Sequence, residues 1–343
     1  MDLRLSEDQE ATRDLLRRLF EREVGTDVVR AAESLGHSPQ VWATLAAAGI
    51  PAMGMPARLG GGDADLAMLA VVAIEAGRAM APVPLIEHLV ATRVVAELDP
   101  AHPRLADLAS GSAIAALAPV PAVSGRASLV PGGAVADVVV ALDGDVLVAA
   151  GGPPPGAALR NHASAPLADR DLTGPDRRVL ASGADAGLAH ADAATEWRVL
   201  TAGALSGLAA TALELAVAYV KQRHQFGVPI GSFQAVQHGL ADLPGPVLGA
   251  ELLVHEAAWA LVTGEVAPTG AGGRELALMA LLFTADVAAD VTARCVHYHG
   301  GYGVAEEQDP QLLYRRARGW ALVGGDPADD VERLGALLAE GGG

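Results

Sequence analysis

The chain has 343 residues, half of them hydrophobic but only 3% aromatic, so Ala, Leu and Val supply most of the apolar content. This composition excludes a disordered chain and leaves room for two or three regions sharing a large core. Twenty-four Lys plus Arg against 41 Asp plus Glu give a net charge of −17; such a surface repels nucleic-acid backbones and anionic membranes, so no nucleic-acid partner is expected. The single cysteine, Cys295, excludes an internal disulfide framework and a cysteine-based zinc cluster.

In chain order, Met1 to Asp8 has no apolar secretory core. The run Leu276 to Ala285 is about half the ~20 residues a spanning helix needs. Both point to a cytoplasmic protein with no membrane span. Residues 1–110 read as a helical domain. Ser6 and Gln9 have the spacing of a capping box ahead of Leu15, Leu16, Leu19 and Phe20. A second helix over 41–48 stops at Gly49 and Pro51, and helix resumes over 66–80 until Pro82 and Pro84. Residues 111–187 form a small β domain. Two Val-rich runs, 138–142 and 146–149, flank Asp143-Gly144-Asp145 as a hairpin, and 177–180 reads as a further strand. Residues 188–343 return to helix. Leu205, Leu208, Ala212, Leu215 and Tyr219 share one stripe. The small residues over 203–210 suit a close interhelical or intersubunit contact, and Pro244 and Pro246 predict a kink or break.

The most specific stretch is Arg223-His224-Gln225-Phe226-Gly227-Val228-Pro229-Ile230-Gly231-Ser232-Phe233-Gln234. Arg223 ends a helix, where a cation suits the negative end of the dipole, and its guanidinium can clamp a phosphate with two hydrogen bonds. Gly227 and Pro229 turn the chain, and Phe233 offers a flat apolar face. A second stretch, His297-Tyr298-His299-Gly300-Gly301-Tyr302-Gly303, leads to Leu313-Tyr314-Arg315-Arg316-Ala317-Arg318. Paired glycines let backbone amides approach a pyrophosphate. His297 and His299 lack a third ligand at sensible spacing, so no metal is expected. Arg315, Arg316 and Arg318 form a basic cluster or else a solvated helical face.

The first stretch resembles the Arg-x-Gln-Phe-Gly-x-Pro-Ile-x-x-Phe-Gln motif of the acyl-CoA dehydrogenase family. The second is similar to that family's Gln-x-x-Gly-Gly-x-Gly segment, with His297 in place of the Gln. The resemblance implies a mainly α fold with a small middle β domain: an N-terminal helical domain, a β domain and a C-terminal four-helix bundle. It implies FAD as cofactor, an acyl-CoA thioester as substrate and a separate electron-transfer acceptor. It places Arg223, Gln225, Phe226, Phe233, Gln234, His297, Gly300 and Gly301 at the FAD of a neighbouring subunit. Three departures follow from it. The family's usual catalytic glutamate lies within a segment matched here by Val323, Gly324, Gly325 and Asp326. Glu196 falls where some members carry the base instead, and otherwise reads as a solvated charge near a helix start. The family's flavin-holding loop is replaced by Ala116 to Pro121. What is kept serves a neighbour's FAD, and what is lost serves the chain's own. This pattern resembles the smaller subunit of heteromeric (α2β2) members acting on bulky acyl-CoAs such as steroid side chains. The alternatives are a self-sufficient homo-oligomer using Glu196, and a non-redox scaffold that keeps the fold without flavin.

Overall fold

The computed structural model describes residues 3–341; Met1, Asp2, Gly342 and Gly343 lie outside the described residues. Six helices come first: α1 (Glu7–Glu23), α2 (Thr26–Ala31), α3 (Pro39–Ala47), α4 (Leu66–Arg78), α5 (Leu85–Leu98) and α6 (Leu105–Ser110). Helix α1 opens on the reciprocal cap its sequence predicts: Ser6 Oγ accepts from the Gln9 amide, and Gln9 Oε1 accepts from the Ser6 amide. Helix α3 is followed by Gly49 at φ 75°, a left-handed conformation that glycine adopts without steric cost.

Six strands follow: β1 (Ala115–Leu117), β2 (Arg126–Val130), β3 (Val138–Asp143), β4 (Val146–Gly151), β5 (Ala168–Asp171) and β6 (Arg177–Ser182). They form a four-stranded sheet in the order β1-β3-β4-β6 and a two-stranded sheet of β2 and β5. Strands β3 and β4 are the expected hairpin, in register from Val138↔Gly151 to Asp143↔Val146. Strand β1 runs parallel to β3. His88, buried on α5, ties this sheet to the helices by accepting the Ala115 amide on Nδ1 at 3.0 Å.

The remaining elements are α7 (Ala184–Gln222), the two-residue strands β7 (His224–Gln225) and β8 (Val228–Pro229), α8 (Gln234–Ala241), α9 (Pro244–Thr263), α10 (Gly273–His299), α11 (Pro310–Trp320) and α12 (Pro327–Gly341). The chain does break at Pro244, because α9 starts there; the first turn of a helix has no use for the missing amide. By length and composition α7 and α10 could each cross a membrane, but 72% and 56% of their apolar windows are buried inside this protein. Helix α7 packs on α10 and on α4, and α9 packs on α10. The small residues of α7 serve the crossing with α4. A Cβ at Gly207 would lie 2.0 Å from the Ile74 carbonyl oxygen, and one at Gly77 would lie 2.0 Å from that of Ala204.

Candidate cofactor groove and its neighbouring cavity

The turn after α7 is built around two left-handed residues. Phe226 (φ 53°) and Gly227 (φ 84°) reverse the chain so that Gln225 pairs with Val228 and His224 with Pro229. The Arg223 amide still caps α7 on the Tyr219 carbonyl, and the Arg223 carbonyl accepts from Ile230 at 2.7 Å. The Phe226 ring is 94% exposed and meets Phe233 edge-on, with 6.2 Å between centroids. A bulky residue held at positive φ with its ring in water is doubly unfavourable unless another surface receives it. Arg223 makes no ion pair or side-chain hydrogen bond among the described residues, whereas most arginines here are paired.

The facing wall is the C-terminal end of α10. Tyr219 stacks on His299 with 3.9 Å between centroids and an interplanar angle of 26°, and lies nearly parallel to Tyr302 at 6.5 Å. His299 Nδ1–H donates to the Cys295 carbonyl at 2.7 Å, which fixes the ring. Burial lowers the His299 pKa. Gly300 sits at φ 63°, ψ −145°, a region reserved for glycine, and a Cβ on Gly301 would meet only open space. Between the walls lies an open groove of about 680 Å3 lined by Tyr219, Arg223, Gln225, His299, Gly300 and Gly301 among others.

The structure thus brings Arg223, Gln225, Gly300 and Gly301 together. Phe226, Phe233 and Gln234 lie outside the groove lining, exposed on the turn and at the start of α8. His297 is also outside it, exposed and edge-on to Tyr298; its neighbour two residues on, His299, is the histidine in the wall. Cys295 lies behind that wall, buried, with its thiol pKa pushed up to about 12. A thiol so held is inert. Ellman's reagent is expected to titrate none in the native protein and one equivalent in denaturant; rapid native labelling would contradict this burial.

Glu196 points elsewhere. Its carboxylate pairs with Arg93, Nε to Oε2 at 3.1 Å, in a groove between α5 and α7. Burial raises its pKa against the pull of Arg93, with Glu97 and Asp192 adding to the rise. Glu196 does not line the partly open pocket of about 90 Å3 between the α4–α5 junction, α7, α11 and the segment after α11. Successive helical residues are turned by about 100°, so the neighbouring Trp197 side chain leaves the Glu196 groove and meets Glu87 on α5. Its Nε1 donates to Glu87 Oε1 at 3.4 Å. Gly324 packs flat on the same indole: a Cβ there would lie 2.4 Å from the ring. Glycine at 324 is therefore a steric requirement of Trp197. Of the segment Ala116 to Pro121, expected as a loop, Ala116 and Leu117 belong to strand β1, and Ala118 is held by its amide donating to Val140 and its carbonyl meeting His190 Nε2 at 2.9 Å.

The arginines after Leu313 do not form a free basic cluster. Arg315 and Arg316 both pair with Glu33, and Arg318 lies over the Tyr314 ring at 4.1 Å. Burial alone would raise the Glu33 pKa; Arg316, with hydrogen bonds from Arg315, Arg316 and Ser164, lowers it overall. The unfolded chain therefore binds more protons just below pH 4.5, and the stabilisation is lost as pH falls through the lowered folded value. Glu33→Gln is expected to cost about 1–3 kcal/mol at neutral pH, less than the 3–5 of a fully buried pair because Glu33 is a quarter exposed. It also flattens the acid limb of the stability curve; denaturant melts at pH 7 and pH 4 measure both. Among the described residues no three His, Cys, Asp or Glu side chains gather as a metal site.

Residues 6–98 match the family described as "Acyl-CoA dehydrogenase, N-terminal domain", and residues 187–334 match "Acyl-CoA dehydrogenase, C-terminal domain". The chain belongs to the acyl-CoA dehydrogenase family. Its helix–sheet–helix order is that family's fold. It is 33% identical to "Acyl-CoA dehydrogenase IpdE2" of Mycolicibacterium smegmatis, over 97% of this chain and 99% of that one. It is 32% identical to the Mycobacterium tuberculosis protein of the same name, over 96% of each. Among solved structures, a chain of "Tcur3481-Tcur3483 steroid ACAD G363A variant" superposes with a TM-score of 0.83 at 28% identity, covering 98% of this chain and 99% of its own. A chain of the ChsE4-ChsE5 complex from Mycobacterium tuberculosis reaches 0.86 at 23% identity over 99% of each, a likeness of fold alone.

Proposed function

We propose that this chain is one subunit of a cytoplasmic, FAD-linked, hetero-oligomeric acyl-CoA dehydrogenase, and that its Arg223 turn completes a FAD site carried mainly by a homologous partner. The observation that carries the reading is the open groove with a guanidinium at its edge that pairs with no carboxylate among the described residues. The groove fits a dinucleotide. Arg223 has two N–H edges for a pyrophosphate and no paired carboxylate among the described residues, Gln225 adds an amide, and the Gly300–Gly301 backbone has no Cβ to hold an anion off. The stacked Tyr219 and His299 fix the wall, and the exposed Phe226 and Phe233 rings offer flat apolar contacts to a neighbouring subunit. FAD, when bound, supplies the two-electron acceptor for α,β-dehydrogenation of an acyl-CoA and passes the electrons to a separate acceptor.

The same reading assigns the α-proton base and the flavin-ring loop to the partner. On this chain Glu196 is held by Arg93, and position 324 carries no side chain. One solved neighbour, named as a steroid ACAD variant, supports a steroid-derived acyl-CoA as substrate. The test is to express the chain alone and with a longer homologous subunit, then add a steroid acyl-CoA without oxygen. The pair is expected to carry flavin that bleaches, and the lone chain neither to carry flavin nor to react. Stoichiometric FAD and full dehydrogenation in the lone chain would overturn the proposal.

A further inference from the structure

The groove bordered by the Arg223 turn holds a histidine with one free ring nitrogen. Three of the chain's four tyrosines, Tyr219, Tyr298 and Tyr302, also line it, although the chain is only 3% aromatic. His299 stacks on Tyr219, and Tyr302 lies nearly parallel to Tyr219, so the wall suits a planar base better than a sugar. His299 itself is 7% exposed. Its Nδ1 meets the Cys295 carbonyl at 2.7 Å, and a carbonyl only accepts, so Nδ1 carries the proton. Burial lowers the pKa of the ring against that hydrogen bond, so the imidazole is neutral at pH 7. In this tautomer Nε2 is an acceptor. The buried side-chain nitrogens without a partner belong to His37 and His88; His299 Nε2, also unpartnered among the described residues, opens onto the groove instead.

The other polar side chains of the lining are less selective. Tyrosine hydroxyls and the Gln222 and Gln225 amides serve as donor or acceptor, and Arg223 only donates. His299 Nε2 is the one fixed acceptor among the lining side chains. We propose that His299 selects adenine in this groove: Nε2 accepts a hydrogen bond from the 6-amino group of the base and rejects a 6-oxo purine, which would set a second acceptor against it. The amino N–H bonds lie in the plane of the base and the Nε2 lone pair lies in the plane of the imidazole. A base parallel to these rings therefore meets His299 edge to edge, whereas a ribose hydroxyl points out of that plane. This inference rests on the dinucleotide reading of the groove and extends it from holding a pyrophosphate to recognising a base.

The test uses the assembled enzyme, freed of flavin and equilibrated with equal amounts of FAD and deaminated FAD, which carries hypoxanthine for adenine. Mass spectrometry of the retained flavin gives the ratio. FAD is expected to be favoured by at least about ten-fold. His299→Phe keeps a ring against Tyr219 but has no acceptor, and His299→Gln can donate or accept; in both, the ratio should fall to within about two-fold of unity. The preference for FAD over its 2′-deoxyadenosine form should be the same in wild type and His299→Phe. Equal retention of deaminated FAD by the wild type, a preference that survives both variants, or a 2′-hydroxyl preference lost in His299→Phe would each overturn the assignment. None of these touches the groove reading so long as Arg223→Ala weakens FAD binding. FAD binding indifferent to Arg223→Ala would remove the groove reading and the His299 assignment together.

Discussion

Replacing Arg223 with alanine is expected to weaken FAD binding to the assembled enzyme by about 10- to 100-fold. A charge-assisted hydrogen bond to phosphate contributes about 1.5–3 kcal/mol, and the guanidinium offers two in parallel. The loss should come without unfolding, because Arg223 is exposed and unpaired among the described residues, and surface changes of this kind stay within about 0.5 kcal/mol. Arg223→Lys keeps the charge and loses the fork, so it should fall between the two. Flavin per complex after dialysis, with the thermal midpoint as control, measures both. Undiminished flavin in Arg223→Ala would leave the turn without its assigned role.

The second large effect concerns the α4–α7 crossing. Gly207→Ala and Gly77→Ala each place a methyl 2.0 Å from a backbone carbonyl oxygen of the opposite helix. No rotamer can relieve that contact, so the helices must separate. Each substitution is expected to cost about 3 kcal/mol or more, or to prevent folding. Gly335→Ala is the control. It also lies within a helix, but a Cβ there meets nothing within 4 Å. Removing a helical glycine in open space should stabilise by up to about 1 kcal/mol. Urea midpoints of the three variants decide the point; a tolerated Gly207→Ala would mean that the crossing is looser than described.

These two cases also mark where sequence reasoning reaches and where it stops. Local signals were readable because they are complete within a few residues. The Ser6–Gln9 cap and the Asp143-Gly144-Asp145 turn are examples, and both form as their spacing predicts. Strand β1 was not readable: three residues, Ala-Ala-Leu, show no alternation, and its existence depends on a partner 23 residues away. Helix α5 hid behind Pro84, which reads as a breaker and here sits just before the helix. Arg223, Gln225, Gly300 and Gly301 line one groove, and the sequence marks them through the resemblance of their two motifs. The histidine that joins them is selected by the rotation of α10 against α7, which the spacing of His297 and His299 does not disclose.

The contrast between Glu196 and Trp197 has the same origin. Ahead of the stripe that starts at Leu205, helix α7 is buried nearly all round, so nothing in its sequence there marks which way each side chain faces. A one-residue difference turns the side chain by about 100°.

The most direct measurement of the central claim is the structure of the hetero-oligomer with FAD bound. The account predicts the Arg223 guanidinium within hydrogen-bonding distance, about 2.7–3.0 Å, of a pyrophosphate oxygen on a FAD whose ring lies in the partner's β domain. An Arg223 side chain turned to solvent, or a FAD ring seated against Ala116 to Pro121 of its own chain, would contradict it.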